Sequence, residues 1–184
     1  LSLRHRGPDD HGVWHQPQRG VAIGNRRLSI IDIAGGHQPF VSDDGRVALV
    51  QNGEIFNYLE LADELRAQGV ELRTHSDTEV LLRLYEREGI AFLHRLNGMF
   101  AIAIDDARED ALYLVRDRIG VKPLYVAQQG GRHLFASEIK AILQALPAQP
   151  ALDLEAIHHY LSFNYIPAPW TVWQGIRHVM PGCW

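Results

Sequence analysis

The order of apolar runs and turn formers predicts an α+β domain built mostly of antiparallel sheet. Three observations point that way. Residues 99–104 and 111–115 flank the polar stretch 105–110, and residues 124–127 and 133–136 flank Gly130-Gly131, so two hairpins occupy the middle of the chain. Helical periodicity is confined to a few short segments. No strand–helix–strand unit recurs at regular spacing, as a parallel sheet would need.

Residues 21–23 and 47–50 read as strands, being short, apolar and bounded by Gly or Asp. Tyr58, Leu61, Ala62 and Leu65 then fall at i, i+3, i+4 and i+7, a helix closed by Gly69. Residues 70–73 read as a further strand. Ser76-Asp77-Thr78-Glu79 is a capping-box pattern ahead of Val80, Leu81 and Leu84, and Gly89 ends that helix. Ser137 is placed to cap a helix through 141–146, which stops before Pro147. After the break at 147–150, Asp153 caps a helix carrying Ile157, Tyr160 and Leu161. Pro167-Ala168-Pro169 reads as an extended connection.

The chain has 184 residues, enough for one domain with its own core. Eighteen Lys and Arg stand against 22 Asp and Glu, a net charge of −4 that offers no basic face for nucleic acid. No apolar run is long enough to span a bilayer, and no signal peptide opens the chain. A single Cys183 cannot form an internal disulfide, which fits a reducing cytoplasm. The chain starts on Leu1 and stops at Cys183-Trp184 after a Pro-Gly turn signal, so it reads as a stretch of a longer protein.

The ten histidines include His11 and His15, four apart, but Gly12 and Pro17 disfavour a helix there. No second Cys and no acidic cluster completes a metal-ligand set, so no metal site is expected. Neither G-x-S-x-G, nor G-x-x-x-x-G-K-[ST], nor G-x-G-x-x-G occurs.

What remains is a series of polar, glycine-bearing turns at the ends of apolar strands, where functional residues concentrate. They are Arg4-His5-Arg6-Gly7-Pro8-Asp9, Asn25-Arg26-Arg27-Leu28-Ser29-Ile30, Asn52-Gly53-Glu54-Ile55-Phe56-Asn57, Ser76-Asp77-Thr78-Glu79, Arg116-Asp117 through Pro123-Leu124-Tyr125, and Ala136-Ser137-Glu138-Ile139-Lys140. Singly, each has an ordinary explanation. Asn-Gly tolerates positive φ in any tight turn, Asp77 suits a helix start, and Arg27 could be a surface charge. Jointly they match one ligand. An arginine grips a carboxylate, an aspartate holds an ammonium, and an Asn amide beside a Gly N–H directs two donors at one oxygen. Those are the polar ends of an amino acid with a side-chain amide, which leaves glutamine and asparagine both open.

At these residues the sequence resembles the class II glutamine amidotransferases, in particular the glutamine-dependent asparagine synthetases. The wording Arg6-Gly7-Pro8-Asp9, Gly53-Glu54-Ile55-Phe56-Asn57 and Ser137-Glu138-Ile139-Lys140 is closest to that branch, and the similarity continues through Leu161–Pro169. The resemblance implies an N-terminal-nucleophile hydrolase fold, an αββα sandwich of two antiparallel sheets, here without its first strand. It implies one amidotransferase domain over 1–184, with 147–184 leading towards an ATP-dependent synthetase domain outside this stretch. The implied reaction is hydrolysis of glutamine to glutamate and ammonia, the ammonia passing to an ATP-activated aspartate. ATP and Mg belong to that second domain, and no cofactor is expected in this one. A homodimer is compatible with the family.

Carried over by motif, Arg27 would bind the substrate carboxylate, with Leu28, Ser29, Ile30 and Ile31 shaping that wall. Asp77 would bind the α-ammonium, joined by the Gly53-Glu54 turn. Asn52 and the Gly53 N–H would form the oxyanion hole, and the Arg6-Gly7 turn would support the site. The chain departs from the family at the nucleophile. That residue is a cysteine at the mature N-terminus, whose own α-amine, titrating near ~7.7–8.0, serves as the base. Leu1 begins after it, and Cys183 lies in an unrelated Pro-Gly turn. Residues 1–184 are therefore expected to be inactive alone. A non-catalytic domain that keeps the fold as a structural partner, or an amidotransferase for a different acceptor, are the competing readings.

Overall fold

The computed structural model describes residues 2–184. Its central sheet is antiparallel, in the order β3 (Phe40–Val41), β4 (Val47–Ile55), β5 (Gly98–Asp106), β6 (Ala111–Arg116). Side chains alternate across this sheet, as the pleat requires. Val47, Leu49, Phe100, Ile102, Ile104 and Val115 turn to one face. There they form a core with α1 (Tyr58–Ala67) and α2 (Asp77–Glu88) through Leu61, Leu65, Leu81, Leu84 and Tyr85. Ala48, Val50 and Ala103 turn to the other face.

That second face is covered by a layer in two pieces. One is the hairpin β1 (Asp10–Gln16) and β2 (Val21–Arg27); the other is a three-stranded sheet in the order β8 (Arg132–Ala136), β7 (Tyr125–Gln129), β9 (Ile176–His178). Ile23 and Trp14 from the first piece and Phe135 from the second pack on Ala48, Val50 and Ala103. Beyond the second layer, α3 (Ile139–Ala145) buries Ile142 against Ala127 and Ile176. The layers thus run helix, sheet, sheet, helix, the α+β architecture with antiparallel sheets that the sequence predicts. A fourth helix, α4 (Leu154–Phe163), follows a bridge between Leu152 and Trp173. No helix among the described residues is long and apolar enough to cross a membrane.

Several local expectations need correction. Residues 70–73 are not a strand. Val70 and Leu72 pack on the helical core, while the Glu79 carboxylate takes the N–H groups of Arg73 and Thr74 at 3.0 and 2.7 Å, which holds the segment as a loop. The same contact alters the capping box. Ser76 Oγ accepts from the Thr78 N–H at 3.2 Å, but Glu79 reaches past the cap residue. Ser137 does not cap α3; Glu138 occupies that position and makes no side-chain cap. Pro167 and Trp170 close a turn at 3.1 Å, so the proline stretch is not extended throughout. Asp153 does cap α4, accepting from the Ala156 N–H at 3.1 Å. Strands β1, β3 and β9 have no clear sequence signature.

Candidate active site

The ends of β2, β4 and β8 and the start of α2 enclose a cavity of about 370 Å³, within the usual range for a small-molecule site. Arg27, Leu28, Ile30, Ile31, Asn52, Gly53, Glu54 and Asp77 all line it. Ser29 is not among the lining residues; its N–H turns back to Asp9 Oδ2 at 2.9 Å. Arg6, Arg26, Arg27 and Lys122 are the basic lining residues and Glu54 and Asp77 the acidic ones, so the wall suits a ligand carrying an anionic group.

The backbone of β4 explains how donors reach the cavity. In an antiparallel ladder, alternate residues send both N–H and C=O to the same neighbour. Phe100, opposite Gly53, gives its C=O to the Asp117 N–H at 2.9 Å and its N–H to Asp117 Oδ2, on the β6 side. Gly53 therefore faces away from β5, as do Leu49, Gln51 and Ile55 two residues apart. Leu49 pairs with Phe40 of β3. β3 ends there, and side chains take over. The Gln51 N–H donates to Gln38 Oε1 at 2.7 Å, and the Ile55 N–H donates to Asp77 Oδ2 at 3.1 Å. The Gly53 N–H, between them, is left on the open edge of the strand. Only glycine fits here, because a Cβ would meet the Met99 carbonyl oxygen.

Asn52, next in line, turns to the opposite face of β4, where its Nδ2 donates to Ser137 Oγ at 3.3 Å. That bond fixes the amide without using its second N–H. The adjacent Glu138 accepts from Arg6 at 3.2 Å and pairs with His5 and Lys140, each at 2.9 Å. Burial would raise the Glu138 pKa, but the hydrogen bonds from Lys140, His5 and Arg6 outweigh it and hold the carboxyl down to about 2. The Arg6-Gly7 turn is thereby tied to the start of α3. Gly7 lies against the Arg26 and Arg27 backbone so closely that a Cβ would collide with it.

Arg27 is buried, and its guanidinium is largely engaged. It donates to the carbonyls of Ile31 at 2.6 Å, Asp32 at 2.8 Å and Ile33 at 3.4 Å, shaping the loop that forms the cavity wall. The Asp32 carboxylate carries this order onward, accepting from the Gly35 and His75 N–H groups, both at 2.8 Å. The arginine loop is thus stitched to the approach of α2.

Asp77 is the first residue of α2 and is 5% exposed. Its Oδ2 accepts from Ile55 N–H and Gln51 Nε2, both at 3.1 Å, while the Thr78 hydroxyl lies 3.4 Å from Oδ1 and the Thr78 backbone N–H is a further donor to the carboxylate. Burial pushes the Asp77 carboxyl above its ordinary range; the bonds from Ile55, Gln51 and Thr78 oppose that shift. On β2, Asn25 Oδ1 and Arg26 Nε are buried without a partner, so this wall keeps unused hydrogen-bonding capacity. Gln51, Gln38 and Asp32 are site residues that sequence reasoning did not single out, and Ser137, noted there as a helix cap and within its motif, was not linked to Asn52. Cys183 is exposed and does not line the cavity.

A two-sheet core between helices, with a cavity at the strand ends walled by Arg27, Gly53 and Asp77, has the architecture of the N-terminal-nucleophile hydrolases. Glutamine phosphoribosylpyrophosphate amidotransferase from Bacillus subtilis, solved with ADP and GMP, shares it. The TM-score is 0.62 at 27% identity, over 77% of this chain and 38% of that one. The chain belongs to the glutamine amidotransferase domain family, which it matches over residues 1–184. It is 43% identical to a putative glutamine-hydrolysing asparagine synthetase of Mycobacterium tuberculosis, over 98% of this chain and 29% of the relative. It is 42% identical to glutamine-hydrolysing asparagine synthetase 1 of Bacillus subtilis, over 97% and 28%. The chain thus spans less than a third of the length of these relatives.

Proposed function

We propose that the cavity binds L-glutamine and that these residues serve the hydrolysis of its side-chain amide to glutamate and ammonia. The observation that carries this reading is the Gly53 N–H, held on the open edge of β4 between two positions whose donors are occupied. Arg27 and its loop take the α-carboxylate, Asp77 Oδ1 takes the α-ammonium, and the amide oxygen lies towards Gly53 and Asn52. Attack on the amide carbon converts that oxygen to an oxyanion. The Gly53 N–H and the second Asn52 N–H stabilise it at the moment charge develops. Collapse of the tetrahedral species expels ammonia and leaves an acyl-enzyme, which water hydrolyses to glutamate.

The attacking group is the N-terminal cysteine thiol that the family resemblance implies, with its α-amine relaying the proton. Residues 1–184 supply recognition and the oxyanion donors but not that thiol. As they stand, they should bind glutamine and release no glutamate. The relatives' names favour asparagine as the product, and the family resemblance implies aspartate, activated by ATP and Mg in a linked domain, as the acceptor of the ammonia.

Glutamate release measures this directly. The proteins to compare are the 184-residue chain and one in which a processed N-terminal cysteine precedes it. Activity is expected only in the second, and Asn52→Ala should lower its kcat by roughly 10²–10³. Release by the 184-residue chain that vanishes in Cys183→Ser would overturn the assignment. No release from either protein, with glutamine still bound, would favour a non-catalytic domain.

A further inference from the structure

On β4, Val47, Leu49 and Ile55 belong to the apolar core that the sheet shares with α1 and α2, and each is fully buried. Gln51 turns to that same side and is itself only 3% exposed. Packing alone would place an apolar residue there. A buried amide is tolerated only when both its ends are bonded, and here they are. The Gln51 N–H donates to Gln38 Oε1 at 2.7 Å, and Gln38 Nε2 donates to Thr78 Oγ1 at 3.1 Å. The Thr78 hydroxyl donates to Gln51 Oε1 at 3.2 Å, which closes a ring. The Gln51 C=O is taken as well, by Asn25 Nδ2 at 2.9 Å. With every other polar atom fixed, Gln51 Nε2 is directed at Asp77 Oδ2.

We propose that Gln51 is a positioning residue for ligand recognition: held by Thr78 and Gln38, it pins one oxygen of the Asp77 carboxylate and turns the other towards the ammonium of the bound amino acid. This rests on the reading of Asp77 as the ammonium site. Without Gln51, Oδ2 would keep only the Ile55 N–H, and the remaining contact of the carboxylate is to Thr78, whose hydroxyl lies 3.4 Å from Oδ1. Two donors on Oδ2 fix its plane. Charged groups lining the cavity do not replace this restraint, since none of them is a hydrogen-bond partner of Asp77. The ring also sets the order of importance: Gln51 touches the carboxylate, whereas Thr78 and Gln38 act mainly by orienting Gln51.

The test uses two ligands on the full-length protein, followed by calorimetry: L-glutamine, and glutaramate, the same molecule without the α-amine. The wild type should prefer glutamine by about 10-fold or more, the scale of one charge-assisted hydrogen bond. Gln51→Leu should erase most of that preference, with glutaramate affinity changing by about 2-fold or less. Thr78→Val, which removes one hydroxyl at nearly constant shape, should reduce the preference in the same direction but less. It decides the matter if Gln51→Leu does not fold by circular dichroism. Variants that fold and keep the wild-type preference, or lose affinity for both ligands equally, overturn the positioning role. A wild type that binds both ligands equally tightly instead removes Asp77 as the ammonium site, and the inference with it.

Discussion

The Arg27 guanidinium lies 2.6 Å from the Ile31 carbonyl and 2.8 Å from that of Asp32, so the residue proposed to meet the substrate carboxylate also builds the loop around it. A lysine carries the charge but cannot bridge several carbonyls with one planar fork. Arg27→Lys is therefore expected to lose most of the glutamine affinity that Arg27→Ala loses, and to lower the melting temperature by a similar amount. In the active protein both should act mainly on KM. Calorimetry and thermal melts check this; near-wild-type affinity in Arg27→Lys would reduce the role of Arg27 to its charge.

Asp77 is held at a cost to folding. Its folded pKa is raised by burial, so its contribution to stability is most favourable at low pH and is lost as pH rises through the ordinary aspartate range. The cost is fully present once the folded carboxyl has ionised. Asp77→Asn removes the charge and should melt no lower than wild type at pH 7, with any advantage fading on acidification. Its glutamine affinity should fall by about 10-fold or more. In the wild type, affinity should decline on acidification at a higher pH than an ordinary aspartate would dictate.

Asp106 has the opposite sign. It is fully buried, accepts from Tyr85 Oη at 2.9 Å and pairs with Arg108 at 2.8 Å. Burial raises its pKa, but Arg108 and Tyr85 outweigh that and bring it to about 2. Its stabilisation is present above an unfolded value near ~3.9 and is lost as pH falls from there towards 2. Asp106→Ala leaves the buried Tyr85 hydroxyl and the exposed Arg108 without their partner, and should cost roughly 1–3 kcal/mol at neutral pH by urea titration. That difference should shrink as the pH approaches 2.

Gly53→Ala separates packing from chemistry. The added methyl meets the Met99 carbonyl and the Phe100 backbone, so β4 and β5 must part locally. A melting temperature lowered by several degrees is expected, together with a kcat loss in the active protein at least as large as that of Asn52→Ala. An unchanged kcat would show that the Gly53 N–H does not face the reacting oxygen.

Much of the fold was legible because its signals are local. Both hairpins carry apolar runs around polar or Gly-Gly turns, and α1 shows its period in Tyr58, Leu61, Ala62 and Leu65. β3 and β9 are too short to show a pattern, and they exist through their neighbours. Val70 and Leu72 look like a strand because they are buried, but Glu79, several residues on, occupies the backbone donors that a strand would pair. The site followed a similar division. Arg27, Gly53 and Asp77 stand out by residue type, although Asn52-Gly53, which reads as a turn, lies within the paired length of β4. Gln51 lies inside an apolar run and Ser137 at an apparent helix start, so only the register of β4 and the approach of β8 show what they touch.

The most direct test is a crystal structure of the protein with L-glutamine. The α-ammonium is expected within hydrogen-bond distance of Asp77 Oδ1, and the carboxylate on the Arg27 side. The amide oxygen should face the Gly53 N–H and Asn52 Nδ2. Glutamine bound with its amide turned away from Gly53, or absent from the cavity between β2, β4 and α2, would contradict the assignment of this site.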